Sequence, residues 1–134
     1  VPMFRSKIET IPAEVFNGPM VVTMRPYHQQ QIAAVYDICA RYPHAHGAPI
    51  AWGDPEILGI EDLTVPDYGD AGDVRAGETP VYWACGVTPQ AAIAAARPPL
   101  CITHAPGCML VSDLPSTTPP KVDASLLSFV DSNL

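Results

Sequence analysis

Apolar residues recur along this chain in short, nearly unbroken runs set between prolines and glycines, and only once with the spacing of an amphipathic helix. Met20-Val21-Val22-Thr23-Met24 follows Gly18-Pro19 and is rich in β-forming residues, which predicts a strand. Ala48–Trp52, Pro80–Ala84, Leu100–Thr103 and Met109–Ser112 predict further strands. A Pro-Gly turn separates the last two. Between Pro26 and about Arg41, the residues Ile32, Val35, Tyr36 and Cys39 share one helical face, and Pro43 closes the segment. Residues 1–17 read as extended and irregular, because Pro2 and Pro12 exclude helix interiors. Asp54 is placed to cap a brief helical turn over Glu56 to Leu58. Residues 61–78 are acidic and turn-rich and read as a loop with one short strand at most. Thr88 to Ala96 predicts a small alanine-rich helix, capped by Thr88, with Pro89 in its first turn and Arg97-Pro98-Pro99 as its stop.

Continuously apolar strands suit a sheet covered on both faces, which predicts an α/β chain of mixed α+β character. The predicted helices are too few to cover a whole sheet, so the chain is expected to be part of a larger structure. At 134 residues it can form one domain with a real core. Hydrophobic residues make up 48% of the chain, which excludes a disordered composition. The formal charge of −7 argues against nucleic-acid binding, where a basic footprint is expected. No apolar run approaches the ~20 residues that cross a bilayer, so no membrane partner is expected. Val1-Pro2-Met3-Phe4-Arg5 lacks the apolar core of a signal peptide, and without an initiator Met at position 1 the true start of translation is expected to have been removed or to lie upstream. The four cysteines, Cys39, Cys85, Cys101 and Cys108, are expected to be reduced thiols, as in the cytoplasm or mitochondrial matrix.

The chemistry concentrates where the Pro80–Ala84 strand turns into the alanine-rich helix. Gly86 is expected to permit the turn, and the free N–H groups of Gly86, Val87 and Thr88 make a ready site for a carboxylate. Cys85 stands at that junction, where a thiol gains reactivity; an inert core cysteine satisfies the same position. His104 lies on the turn before Ala105-Pro106-Gly107 and is an acid–base candidate, with a hydrogen bond to its own turn as the alternative role. His46 adjoins Gly47 and is a better site candidate than His44. Asp54, Asp67 and Asp70 stand beside Gly or Pro, where each suits turn chemistry, a general base, or the binding of a substrate ammonium group. Arg25 and Arg97 are scarce cations, either able to clamp a carboxylate or to pair with the acidic loop. Cys101, His104 and Cys108 lack an evident fourth ligand, so no metal is expected. There is no P-loop or dinucleotide fingerprint, and no cofactor is expected.

Several segments together resemble one family. They are Val1-Pro2-Met3-Phe4-Arg5, Gly18-Pro19-Met20-Val21-Val22-Thr23-Met24-Arg25-Pro26, His46-Gly47-Ala48-Pro49 and Gly53-Asp54-Pro55. Pro66-Asp67-Tyr68-Gly69-Asp70, Trp83-Ala84-Cys85-Gly86-Val87-Thr88-Pro89-Gln90, Arg97-Pro98-Pro99 and Thr103-His104-Ala105-Pro106-Gly107 complete the set. In this order, over residues 1–114, the chain resembles the D-glutamate cyclase family, many of whose members carry only the name hydro-lyase. Residues 115–134 read as a polar tail outside the resemblance. Family members are about twice as long, and the resemblance is to their C-terminal half. It departs at position 108, where the family commonly has His and this chain has Cys108.

The resemblance implies the C-terminal portion of a layered mixed-sheet α/β fold with a small α+β subdomain. It also implies an N-terminal half or a second polypeptide that completes the fold, with a homo-oligomer as a further expectation. The implied reaction is closure of D-glutamate to 5-oxo-D-proline and water. For that chemistry Asp67 or Asp70 is expected at the amine, His104 as acid, and Cys85 as an alternative proton shuttle. Arg25 is expected to hold the substrate carboxylate, with His46, Asp54 and the Gly86-Val87-Thr88 backbone completing the binding site. Dehydration of another small carboxylate or hydroxy acid, and a non-catalytic half-domain that binds a carboxylate or a partner, are the alternative readings.

Overall fold

The computed structural model describes residues 1–108 together with 111, 113 and 115. The order of elements is β1 (Met3–Glu9), β2 (Pro19–His28), α1 (Ile32–Cys39), β3 (Ala51–Trp52), β4 (Glu78–Ala84) and α2 (Thr88–Ala96). Short 3-10 helices occupy Gln29–Gln31 and Pro55–Leu58. The strands form one sheet in the order β1-β2-β4-β3, antiparallel at every pairing. This is a mixed α+β fold, as the sequence predicts.

Strand alternation divides the apolar residues between two faces. Phe4, Val22, Met24 and Tyr82 point to the first face, where Leu58 and Ile60 from the 3-10 segment cover them. Val21, Val81 and Trp83 point to the second face, and there two helices share the cover. Val87, the N-cap of α2, and Ala91 within it pack on Val21 and Met3 at one end. Ile32, Val35 and Cys39 of α1 pack on Val81 and Trp83 at the other. Tyr36, the fourth member of the predicted helical face, turns instead toward Trp52, ring edge to ring face at 6.4 Å.

Three predicted elements differ. Residues 3–9, read as irregular, form the edge strand β1, with Met3 opposite Thr23 and Arg5 opposite Val21. Past Arg5 the register shifts, and the Ser6 hydroxyl donates to the Met20 carbonyl (2.8 Å) where the ladder is interrupted. Pro26 does not open the helix; β2 continues through it to His28. Pro26 stands opposite Pro80, and the Tyr82 and Pro80 carbonyls bond Ile50 and Gly53 on the far side. The prolines therefore meet at a non-hydrogen-bonded position, where neither strand needs an N–H. Leu100–Thr103 forms no strand: it runs as exposed chain, with Leu100 80% and Ile102 89% accessible. The Met109–Ser112 strand and the tail lie outside the described residues as continuous segments.

Candidate active site

On the second face of β2 the alternation runs Val21, Thr23, Arg25, Tyr27. The outer two pack under the helices, while Thr23 and Arg25 occupy the interval between α2 and α1. That interval is a cavity of about 520 Å3. Its floor is Thr23 and Arg25, and its α2 side is Cys85, Gly86 and Val87. Asp70 and Gly69 enter from the acidic loop, His46 from the loop after α1, and His104 and Cys108 from the segment after α2. A smaller cavity of about 280 Å3 shares Thr23, Arg25 and His46 and extends under Trp83 and Tyr42. Seven of the ten residues singled out from the sequence thus line one cavity: Arg25, His46, Asp70, Cys85, Gly86, Val87 and His104.

The other three are engaged elsewhere. Asp54 accepts a hydrogen bond from the Glu56 N–H at 3.0 Å and caps the 3-10 turn, the cap role anticipated for it. The Asp67 carboxylate accepts from the Arg5 N–H at 2.8 Å and sits 3.8 Å from the Arg5 Nε. Thr88 does not cap α2, whose N-cap is Val87. Its hydroxyl accepts from the buried Val21 N–H (2.9 Å) and donates to the Val21 carbonyl (3.2 Å), pinning the helix start to β2. The Thr88 N–H is also used, since it donates to the Cys85 carbonyl at 3.0 Å. Gly86 has no left-handed backbone, contrary to its expected role in the turn. A Cβ built on it meets no atom within 4 Å, so the glycine leaves open space at the cavity wall.

Asp70 reaches the cavity because the loop before it is stitched to β1. Met3 and Tyr68 exchange backbone hydrogen bonds at 3.0 and 3.1 Å. The Arg5 guanidinium donates to the Tyr68 hydroxyl at 3.1 Å. That hydrogen bond, with Asp67 adding to it, holds the guanidinium above its ordinary pKa. Gly69 then takes a left-handed backbone, φ +75°, against the Val1 carbonyl. Asp67 therefore anchors the loop that presents Asp70. A second turn upstream is closed by Asp62, whose carboxyl is held below its usual pKa by the Thr64 hydroxyl and N–H.

Both cavity histidines have one ring nitrogen committed. His46 Nδ1 lies 2.7 Å from the Ala84 carbonyl, and a carbonyl only accepts, so Nδ1 carries the proton and Nε2 of the neutral ring holds the lone pair. His104 Nδ1 is likewise 3.0 Å from the Ala105 carbonyl. Arg25 forms no ion pair among the described residues, so its guanidinium is not consumed by the acidic loop. Cys85 is half-buried against the Met3–Val21–Val87 cluster, and all four cysteines are free thiols. No three His, Cys, Asp or Glu side chains among the described residues gather closely enough to hold a metal ion. No helix among them is long and apolar enough to cross a membrane.

Two contributors were not singled out from the sequence. Thr23 is 5% exposed and lines both cavities; a polar residue two positions from Arg25 in a β-rich run was the available signal. Gln90 is the other. Its side chain bridges α2 to the His104 segment, donating to the His104 carbonyl at 2.7 Å.

The chain resembles known proteins over most of its length. The sequence model of the family described as D-glutamate cyclase matches residues 1–113. A protein of Jannaschia sp. strain CCS1 named "Putative hydro-lyase" is 61% identical over 114 residues, 85% of this chain and 43% of that protein. One from Bordetella pertussis strain Tohama I, also named "Putative hydro-lyase", is 57% identical over 114 residues, 85% of this chain and 41% of that one. A third, from Dinoroseobacter shibae, is 56% identical over 115 residues, 86% of this chain and 38% of it. The chain thus spans about two fifths of the length of these relatives.

Proposed function

The chain belongs to the D-glutamate cyclase family, and we propose that the cavity between the two helices is the centre of a hydro-lyase that closes D-glutamate to 5-oxo-D-proline with loss of water. The observation that supports this reading best is the set of groups around that cavity: a cation with no ion pair among the described residues, one carboxylate, backbone N–H groups and two imidazoles. An amino dicarboxylic acid calls for each of them.

Arg25 receives the α-carboxylate, where a guanidinium gives two parallel charge-assisted bonds. Asp70 takes a proton from the substrate ammonium group and frees the nitrogen lone pair. The nitrogen then attacks the γ-carboxyl carbon. Charge collects on the carbonyl oxygen as the C–N bond forms, and the Gly86 and Val87 N–H groups stabilise it. Thr88 N–H is spent on Cys85 and takes no part. As the C–N bond forms, His104 Nε2 takes the second proton from the nitrogen and gives it to the departing oxygen, Asp70 returns the first, and the C–O bond breaks, so that both protons lost from nitrogen leave as water. His46 completes the substrate pocket, and Cys85 stands beside the path as an alternative shuttle.

The test is incubation with D-glutamate and detection of 5-oxo-D-proline by chiral chromatography and mass analysis. His104→Ala is expected to lower turnover at least ~100-fold. Unchanged turnover in this variant would remove His104 from the mechanism. A second reading, a half-domain that binds a carboxylate without turning it over, is favoured by the exposed Leu100 and Ile102. In that reading a second polypeptide or the rest of the family's length covers these residues. Binding of D-glutamate without product decides for it.

A further inference from the structure

Ser6 and Thr23 are the buried polar residues among those described, each 5% exposed. Ser6 satisfies its hydroxyl by donating to the Met20 carbonyl at 2.8 Å. Thr10 and Thr88 likewise donate theirs to the Gly18 and Val21 carbonyls. Among the described side-chain hydrogen bonds, none involves the Thr23 hydroxyl. Burying a hydroxyl without a partner is unfavourable, and valine has the same shape and an equal place in strands. Packing alone therefore gives no reason for a threonine here.

The hydroxyl is not sealed in. Among the described residues Tyr82 carries the one unpartnered side-chain polar atom that solvent cannot reach. The Thr23 oxygen thus keeps an opening, and Thr23 lines both cavities on this face of the sheet. Those cavities have three residues in common: Thr23, Arg25 and His46. Beyond them the smaller cavity is walled by Trp83, Tyr42 and Ile38, and the larger by Asp70, Gly86 and His104. Thr23 and Arg25 stand two positions apart on one face of β2, about 7 Å along the strand. Together they offer one positive charge and a neighbouring O–H donor, which match a single carboxylate. Each carboxylate oxygen has two lone pairs, so an oxygen held by the guanidinium can also accept from the hydroxyl.

We propose that Thr23 is a binding residue whose hydroxyl donates to the ligand carboxylate held by Arg25, where the two cavities meet. This role rests on the reading of the cavity as a carboxylate site, and it is measurable without turnover.

The experiment is calorimetric titration of the full 134-residue chain, Thr23→Val and Thr23→Ser with D-glutamate, L-glutamate, glutarate and 5-oxo-D-proline, beside urea unfolding of each protein. Thr23→Val is expected to bind at least ~tenfold more weakly, the loss of one hydrogen bond to a charged group. Thr23→Ser, which keeps the hydroxyl, is expected to recover most of that affinity. The urea midpoint of Thr23→Val is expected to be equal or higher, because the hydroxyl has no protein partner to lose; a hydroxyl that serves the fold gives a lower one. A lower midpoint in Thr23→Val, affinity equal to that of the unsubstituted chain, Thr23→Ser as weak as Thr23→Val, or no binding of any of the four acids overturns the proposal. Weaker binding of another of these acids by Thr23→Val, with D-glutamate not bound at all, upholds the role of Thr23 and overturns the D-glutamate reading, which separates the two.

Discussion

Replacing Gly69 by alanine tests how the acidic loop delivers Asp70. A Cβ at this position overlaps the Val1 carbonyl and comes within 3.3 Å of Met3 Cε, and the backbone is left-handed at φ +75°. The left-handed conformation costs an L residue about 1–2 kcal/mol. The overlap cannot be relieved by a flexible side-chain end, because the nearest atom is backbone. Val1 is held by its neighbour: Pro2 is buried, and its carbonyl accepts from Met24 N–H at 3.1 Å. The loop must therefore lift from β1 and weaken the two Met3–Tyr68 backbone bonds, each worth about 0.5–1.5 kcal/mol net. The expected loss is ~2–5 kcal/mol, read as a lower urea midpoint at unchanged slope. Gly77→Ala is the control: φ is +84°, and a Cβ there has only His28 Nδ1 near it, at 3.9 Å. It should show the conformational cost alone, about 1–2 kcal/mol. Gly69→Ala should also weaken D-glutamate binding, because it displaces the residue before Asp70. Equal midpoints for the two variants would refute the steric account of this loop. Normal ligand binding in a destabilised Gly69→Ala would refute the role given to Asp70.

Two further outcomes follow from buried polar groups. Tyr82 is wholly buried, and its hydroxyl has no partner among the described residues. Tyr82→Phe should therefore be neutral or stabilising in a urea titration, as removing an unsatisfied group relieves its desolvation. Burial, with the nearby charge of Asp54, pushes the Tyr82 pKa up to about 12. The unfolded phenol ionises near pH 10. The folded state thus binds the proton more tightly, stability is intact below pH ~10, and it declines as pH rises toward 12. Tyr82→Phe should flatten that alkaline decline, and an unaltered profile would count against this source. Thr88→Val removes the hydroxyl that satisfies the buried Val21 N–H and should cost about 1–3 kcal/mol by thermal or urea unfolding, whereas Ser at this position should recover most of it.

The mixed α+β class, the strands around Val22 and Tyr82, the apolar face of α1 and the cap at Asp54 were legible in the sequence, because each depends on contacts within a few residues. The same is true of the candidate chemistry. Cysteine, imidazole, carboxylate and guanidinium groups beside glycine and proline mark exposed turns whatever the fold. Tertiary structure decided how these residues divide. Asp67 and Asp70 are three positions apart in one turn-rich segment, and no local rule tells which is the anchor. The separation comes from Arg5, more than sixty residues away, whose N–H takes the Asp67 carboxylate and leaves Asp70 at the cavity. Pro26 looked like a helix start, yet a partner strand with Pro80 opposite made it a strand residue. Thr88 looked like a cap, and an orphan N–H on β2 claimed its hydroxyl. Local sequence sets which conformations and reactions a segment can support. Long-range hydrogen bonds, which satisfy buried donors regardless of separation along the chain, decide which of them it adopts.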